Sequence, residues 1–173
     1  MLPITHDGTQ FSLRHLQPRQ KYFSWRCQDD VTVIFSVKIK FSNHCVSENY
    51  DTVSNIETHY FEDGREFCPD RHAWSLGVPT IIDNLFDNPT TQIKLTAEKN
   101  WFVFQLSMQP ELPAGERYYC FFKPRHHKLM CADPALHKFN LHVESAYPRK
   151  KPPSTPRSKE RLMFGRLIER LMP

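Results

Sequence analysis

A chain of 173 residues with 13 Phe, 6 Tyr and 3 Trp holds ample material for one buried core of ordinary domain size. Its 5 glycines against 14 prolines exclude the glycine-rich phosphate loops of nucleotide-binding folds, and no apolar run reaches the length of a membrane span. The net charge of +4 is unevenly placed: from Pro148 onward eight Lys and Arg face Glu160 and Glu169, a balance of +6, which leaves residues 1–147 at −2.

The first residues lack the basic start and apolar stretch of a signal peptide. Cysteines 27, 45, 68, 120 and 131 are odd in number and follow no repeated spacing. Together these features read as reduced thiols in a cytoplasmic protein.

In chain order, residues 1–20 alternate weakly and read as a loose lead-in. Residues 22–26 and 31–41 flank Cys-Gln-Asp-Asp and read as a β-hairpin. In the second of these strands Val31, Val33, Phe35, Val37 and Ile39 share one face, with Ile34, Lys38 and Lys40 on the other. Residues 42–66 are polar and irregular, with a short edge strand expected over 56–61. Cys68-Pro69-Asp70-Arg71-His72 predicts a helix start with Asp70 as its cap. Val78-Pro79 predicts a second helix, with Ile81, Ile82, Leu85 and Phe86 on one stripe and Asn88-Pro89 as its stop.

The second half reads as an antiparallel β-meander. Its strands are expected at residues 91–96, 101–108, 117–123 and 138–147, with a short piece at 129–131. The third is apolar on both faces, as suits a central strand. In the fourth, Phe139, Leu141, Val143, Ser145 and Tyr147 are expected on one side. Residues 148–158 form a Pro, Ser and basic linker, and 159–173 a basic amphipathic helix with Leu162, Leu167, Ile168 and Leu171 near one face. The expected fold class is therefore α+β: a meander with one or two short helices packed on it, spanning residues 1–147, and a C-terminal helix on a linker.

Histidines and cysteines are plentiful, but Cys68-x3-His72 and the run His126-His127-x3-Cys131-x5-His137 lack the paired short spacing of a structural zinc site. No metal or other cofactor is expected. Neither a Gly-x-Ser-x-Gly elbow nor a His-Glu-x-x-His motif occurs. What remains is a set of cationic and hydrogen-bonding groups. Lys123, Arg125, His126 and His127 leave the central strand together, Ser145 and Tyr147 end the next one, and Arg71 with His72 open the first helix. Metal-free RNA cleavage uses groups of this kind: a base for the 2′-OH proton, an acid for the 5′-oxygen, and cations for the charged phosphorane.

The order of a short helix over 79–86, Asn88-Pro89, and a meander closing on Val143-Glu144-Ser145-Ala146-Tyr147-Pro148 resembles the barnase–EndoU–colicin–RelE-like superfamily over about residues 70–148. That superfamily consists of small metal-independent ribonucleases, many of them toxins of mobile elements. The resemblance implies that Ser145 and Tyr147 contact phosphate and that Lys123 supplies a cation. Arg71 and His72 are the nearest equivalents of the family's helix group. It further implies RNA and a cognate protein inhibitor as partners.

The basic residues Arg125, His126, Arg149, Lys150 and Lys151 are the candidates for backbone neutralisation on nucleic acid. The tail is read as a nucleic-acid anchor, against a helix that packs back on the domain or one that lies on a partner or membrane surface. The rival to the ribonuclease is a non-enzymatic module of a mobile element that binds nucleic acid or protein.

Overall fold

Asp7-Gly8 is a two-residue hairpin turn with both residues at positive φ, 46° and 69°. It joins β1 (Ile4–His6) to β2 (Thr9–Phe11), so the lead-in is a small hairpin followed by a single 3-10 turn at Arg14–Leu16. This is a computed structural model, and it describes residues 3–27, 29–49, 61–126, 136–156 and 161–172. The expected short strands over 56–61 and 129–131 fall on residues outside these, except for Phe61.

The hairpin read from the sequence forms from β3 (Arg19–Arg26) and β4 (Thr32–Phe41). Val33, Phe35, Val37, Ile39 and Phe41 of β4 are buried, while Val31 stays outside the strand and exposed. A 3-10 turn at Asn43–Cys45 then leads to β5 (Ser47–Asn49), which pairs with β6 (Arg65–Phe67) as a separate ribbon. Helix α1 (Pro69–Ser75) starts after Cys68, which makes no side-chain cap; Asp70 lies in the first turn instead. Helix α2 (Val78–Asp87) buries Ile81, Ile82, Leu85 and Phe86 and ends at Asn88, as its stripe predicts.

The meander follows as β7 (Gln92–Leu95), β8 (Trp101–Gln105), β9 (Arg117–His126) and β10 (Leu136–Arg149), each antiparallel to the next. It is half of a larger sheet. The far edge of β10 accepts β4 in parallel, from Leu136↔Ile34 to Val143↔Phe41, so the sheet is mixed rather than a pure antiparallel meander. The β3–β4 hairpin carries its own apolar face, and docking it on β10 continues one core across both halves. Ion pairs from Arg19 to Asp83 (3.1 Å) and Lys21 to Asp87 (2.8 Å) hold β3 against α2 at the rim. Such half-exposed pairs contribute at most about 1 kcal/mol each.

The C-terminal segment is a second correction. In place of a free helix from 159, residues Arg161–Met163 form strand β11, paired antiparallel to β7, and α3 (Phe164–Glu169) follows. The strand order is β11-β7-β8-β9-β10-β4-β3. Phe164 and Ile168 are fully buried and Leu167 is 5% exposed. The Phe164 ring meets those of Phe86 (5.1 Å) and Phe122 (6.1 Å). Three such burials contribute about 1.5–3 kcal/mol each before entropy. The amphipathic pattern that reads as an interaction surface in isolation therefore fills a gap between α2 and the sheet. Residues 150–156 are a strap along the sheet end, with Pro153 buried and the Ser154 carbonyl accepting from Ala97 N–H at 2.9 Å.

The third correction decides which residues can form a site. The register of β10 against β9 shifts between Val143 and Ser145, a β-bulge at Glu144. Beyond it Ala146 takes the inward position. Ser145 and Tyr147 therefore leave the face of Phe139, Leu141 and Val143 and join the opposite one. Among the described residues Cys27, Cys45, Cys68 and Cys120 are free thiols; Cys131 lies outside them.

Candidate nucleic-acid interface

The inner face of the sheet carries α2, α3 and the main core. The outer face has a different composition. Cross-strand pairing puts Lys94, Arg117, Lys123, Arg125, Arg149 and Arg161 on it, and Lys38 and Lys40 lie beside Asn140 and His142. Among the described residues, no outward strand position of this sheet apart from Glu144 in the bulge is Asp or Glu.

Part of this face is aromatic. Phe102, Tyr119 and Phe121 form a second buried cluster, with Phe104 and Tyr147 half-buried at its borders. The Tyr147 ring stacks on Phe121 with centroids 5.5 Å apart, and Tyr119 lies parallel to Phe121 at 6.3 Å. The Arg71 guanidinium sits 4.9 Å from the centroid of Tyr147. Arg71 is held there by donating to the Ser47 carbonyl at 2.6 Å. Arg65 donates to the same carbonyl at 2.8 Å, to Ser47 Oγ at 2.9 Å and to Asn49 Oδ1 at 2.6 Å. Burial, then repulsion from Arg71, lowers the Arg65 pKa. Two guanidinium groups on one carbonyl make a concentrated positive spot beside Tyr147.

Among the described residues two hollows open on this face, with strap residue Pro153 lining both. One, of about 190 Å³, is lined by Phe121, Ser145, Tyr147 and Arg149 together with Thr96, Glu98 and Asn100 of the β7–β8 turn. The other, of about 230 Å³, lies over Phe102, Phe104 and Tyr119, with Lys94, Arg117 and Arg161 around it.

Ser145, Tyr147 and Arg149 thus share one hollow, and Arg71 reaches Tyr147 from α1. Lys123 lies on the same face, paired with His142 and one outward position beyond Phe121. Arg125 is exposed next to it, and His126 ends β9 opposite Phe139. Lys150 and Lys151 are exposed just past β10. His72 is not part of the group. It turns to the N-terminal hairpin, its Nε2 3.0 Å from the Ser12 carbonyl and its ring against Phe11 and His15. There His15 Nε2 lies 2.7 Å from Ser75 Oγ, which itself donates to the His72 carbonyl at 2.7 Å. A fully buried serine with its proton so committed is a structural contact, not a nucleophile. The buried thiols are equally inert: burial pushes Cys45 up to about 12 and raises Cys120 well above its usual value.

Sequence reasoning missed His142. Burial lowers its pKa, Arg125, Lys40 and His44 lower it further, and Glu144 opposes them. The signal was present, because alternation along β10 sets residue 142 opposite the core positions 141 and 143. It also missed Lys94, Arg117 and Arg161, which only strand pairing brings together.

Among the described residues no group of three His, Cys, Asp or Glu could hold a metal ion, and no helix is long and apolar enough to cross a membrane. No curated protein and no solved structure matches the chain. A family model described as the YjaZ family matches residues 3–172, essentially the whole sequence, and the chain therefore belongs to the YjaZ family.

Proposed function

We propose that this protein binds single-stranded RNA across the outer face of its sheet. The observation that carries the reading is the charge pattern: cations on β11, β7, β9, β10 and β4, with Glu144 the sole strand carboxylate facing them among the described residues. Phosphate neutralisation supplies sequence-independent affinity on such a surface. Half-buried Tyr147 and Phe104 offer ring edges for edge-to-face contact with bases. Ser145, Tyr147 and Arg149 supply two hydroxyls and a guanidinium to one phosphate, beside Arg71.

A specific observation also favours cleavage, as in the ribonuclease superfamily that the sequence resembles. His142 is held toward its neutral form and lies opposite Lys123. A neutral imidazole would take the 2′-OH proton as the 2′-oxygen attacks phosphorus, with Lys123 and Arg125 stabilising the added charge. The bond to the 5′-oxygen then breaks, and that oxygen takes a proton from water. Incubating end-labelled RNA with the protein in the presence of a chelator tests this step. Cleavage by wild type and its loss in His142→Ala support it; intact RNA in both leaves binding alone as the function.

A further inference from the structure

We infer that the hollow framed by Lys94, Arg117 and Arg161 is a pocket for the terminal phosphate monoester of a nucleic-acid strand. The inference rests on the RNA-binding reading above and adds to it a preference for an end. The three cations come from three strands. Lys94 Nζ lies 5.4 Å and Arg117 Cζ 5.3 Å from the centroid of the Phe104 ring, so both are gathered over one aromatic side chain. Among the described residues no carboxylate lines the hollow, and none of the three cations has an ion-pair partner. Arg161 is fixed by the β11–β7 pairing and by α3 immediately after it, whose Phe164 and Ile168 are in the core.

Charge and shape both point to a terminus. An internal phosphodiester carries one negative charge, which a single guanidinium satisfies. A phosphate monoester carries about −1.5 to −2 with three acceptor oxygens, and three unpaired cations match it better. The strap residues Pro152, Pro153 and Thr155 form one wall of the hollow. Buried Pro153 and the Ala97–Ser154 hydrogen bond hold that wall in place. A strand entering along the cationic face meets this wall, and a strand end can stop there with its last base against Phe104.

Three versions of one eight-nucleotide RNA, bearing a 5′-phosphate, a 3′-phosphate or no terminal phosphate, decide the matter when their affinities for the full-length protein are compared. The expected result is about tenfold tighter binding of one phosphorylated form, and the arm that gains identifies which end is held. Inorganic phosphate should erase that gain. The gain should also vanish in Arg117→Gln and Lys94→Gln, each of which should bind the phosphorylated and hydroxyl-ended RNAs with equal affinity, after circular dichroism confirms that each variant is folded. Equal affinities for all three RNAs overturn the pocket while leaving RNA binding intact. No binding of any of them overturns the reading on which the pocket rests. Should a variant not fold, the wild-type comparison still decides.

Discussion

The Arg71 guanidinium lies 4.9 Å from the centroid of the Tyr147 ring, and this contact ties the first helix to the end of the longest strand. The two residues are 76 positions apart, and only the bulge at Glu144 turns Tyr147 outward to meet Arg71. A partly desolvated cation–π pair is worth about 0.5–2 kcal/mol. A double-mutant cycle of Arg71→Gln and Tyr147→Leu, read by denaturant unfolding, should give a coupling of about 0.5–1 kcal/mol. Additive effects would mean that the two side chains do not act together.

Gly165 lies in the first turn of α3 directly against Trp25, where an added Cβ would sit 2.6 Å from the ring. Trp25 cannot step aside freely, since its Nε1 donates to Glu169 at 3.3 Å and Arg166 lies over its ring at 5.6 Å. Gly165→Ala should cost about 1–3 kcal/mol through overpacking. Deleting residues 161–173 should unfold the protein, because it removes Phe164, Leu167 and Ile168 from the core. A truncated chain that melts like wild type would make the terminal segment an appendage.

Tyr118 is fully buried, and its hydroxyl has no hydrogen-bond partner among the described residues. Burial raises its pKa well above that of an ordinary tyrosine, with Cys45 and Cys120 adding to the effect. An unsatisfied buried hydroxyl is costly, so Tyr118→Phe should stabilise the fold by about 1 kcal/mol. Chemical denaturation measures this directly, and a loss of stability would show that the hydroxyl has a partner.

Burial and the neighbouring His72 ring lower the His15 pKa from 6.5 to about 4, against a backbone hydrogen bond to Ser12. Between those two values the unfolded chain binds more protons than the folded one. Stability from this site is therefore complete above pH 6.5, falls as the pH drops towards 4, and falls no further below it. Thermal melts from about pH 8 to 4 should show this decline, and His15→Gln should flatten it. An unchanged slope in the variant would assign the decline to other groups.

Much of the fold was legible because local signals carried it. The β3–β4 hairpin and the α2 stripe of Ile81, Ile82, Leu85 and Phe86 each declare themselves over a few residues. So does the chain-order pairing of β7 through β10. The parallel seam between β4 and β10 was not legible, since it joins segments far apart in the chain on the strength of a shared apolar face. The bulge was hidden for a different reason. Ser145 and Tyr147 continue the alternation of Phe139, Leu141 and Val143, and only the inward need of Ala146 breaks it. His72 reads like its neighbour Arg71 in sequence, yet the helical turn of about 100° between them sends it to the other side of α1. The tail misled because Leu167 and Ile168 fit a core helix and a docking helix equally well.

If the outer face binds single-stranded RNA, that binding must weaken with salt in proportion to the phosphates it neutralises. Affinity for a twelve-nucleotide RNA should be measured across a salt series for wild type and for Lys123→Gln/Arg125→Gln. A face that neutralises phosphates predicts a steep linear fall of log affinity with log salt. The double variant should lower that slope by about 1.4, at about 0.7 for each phosphate that is no longer neutralised. An absence of binding at low salt, or a slope unchanged in the double variant, would contradict the assignment of this face to RNA.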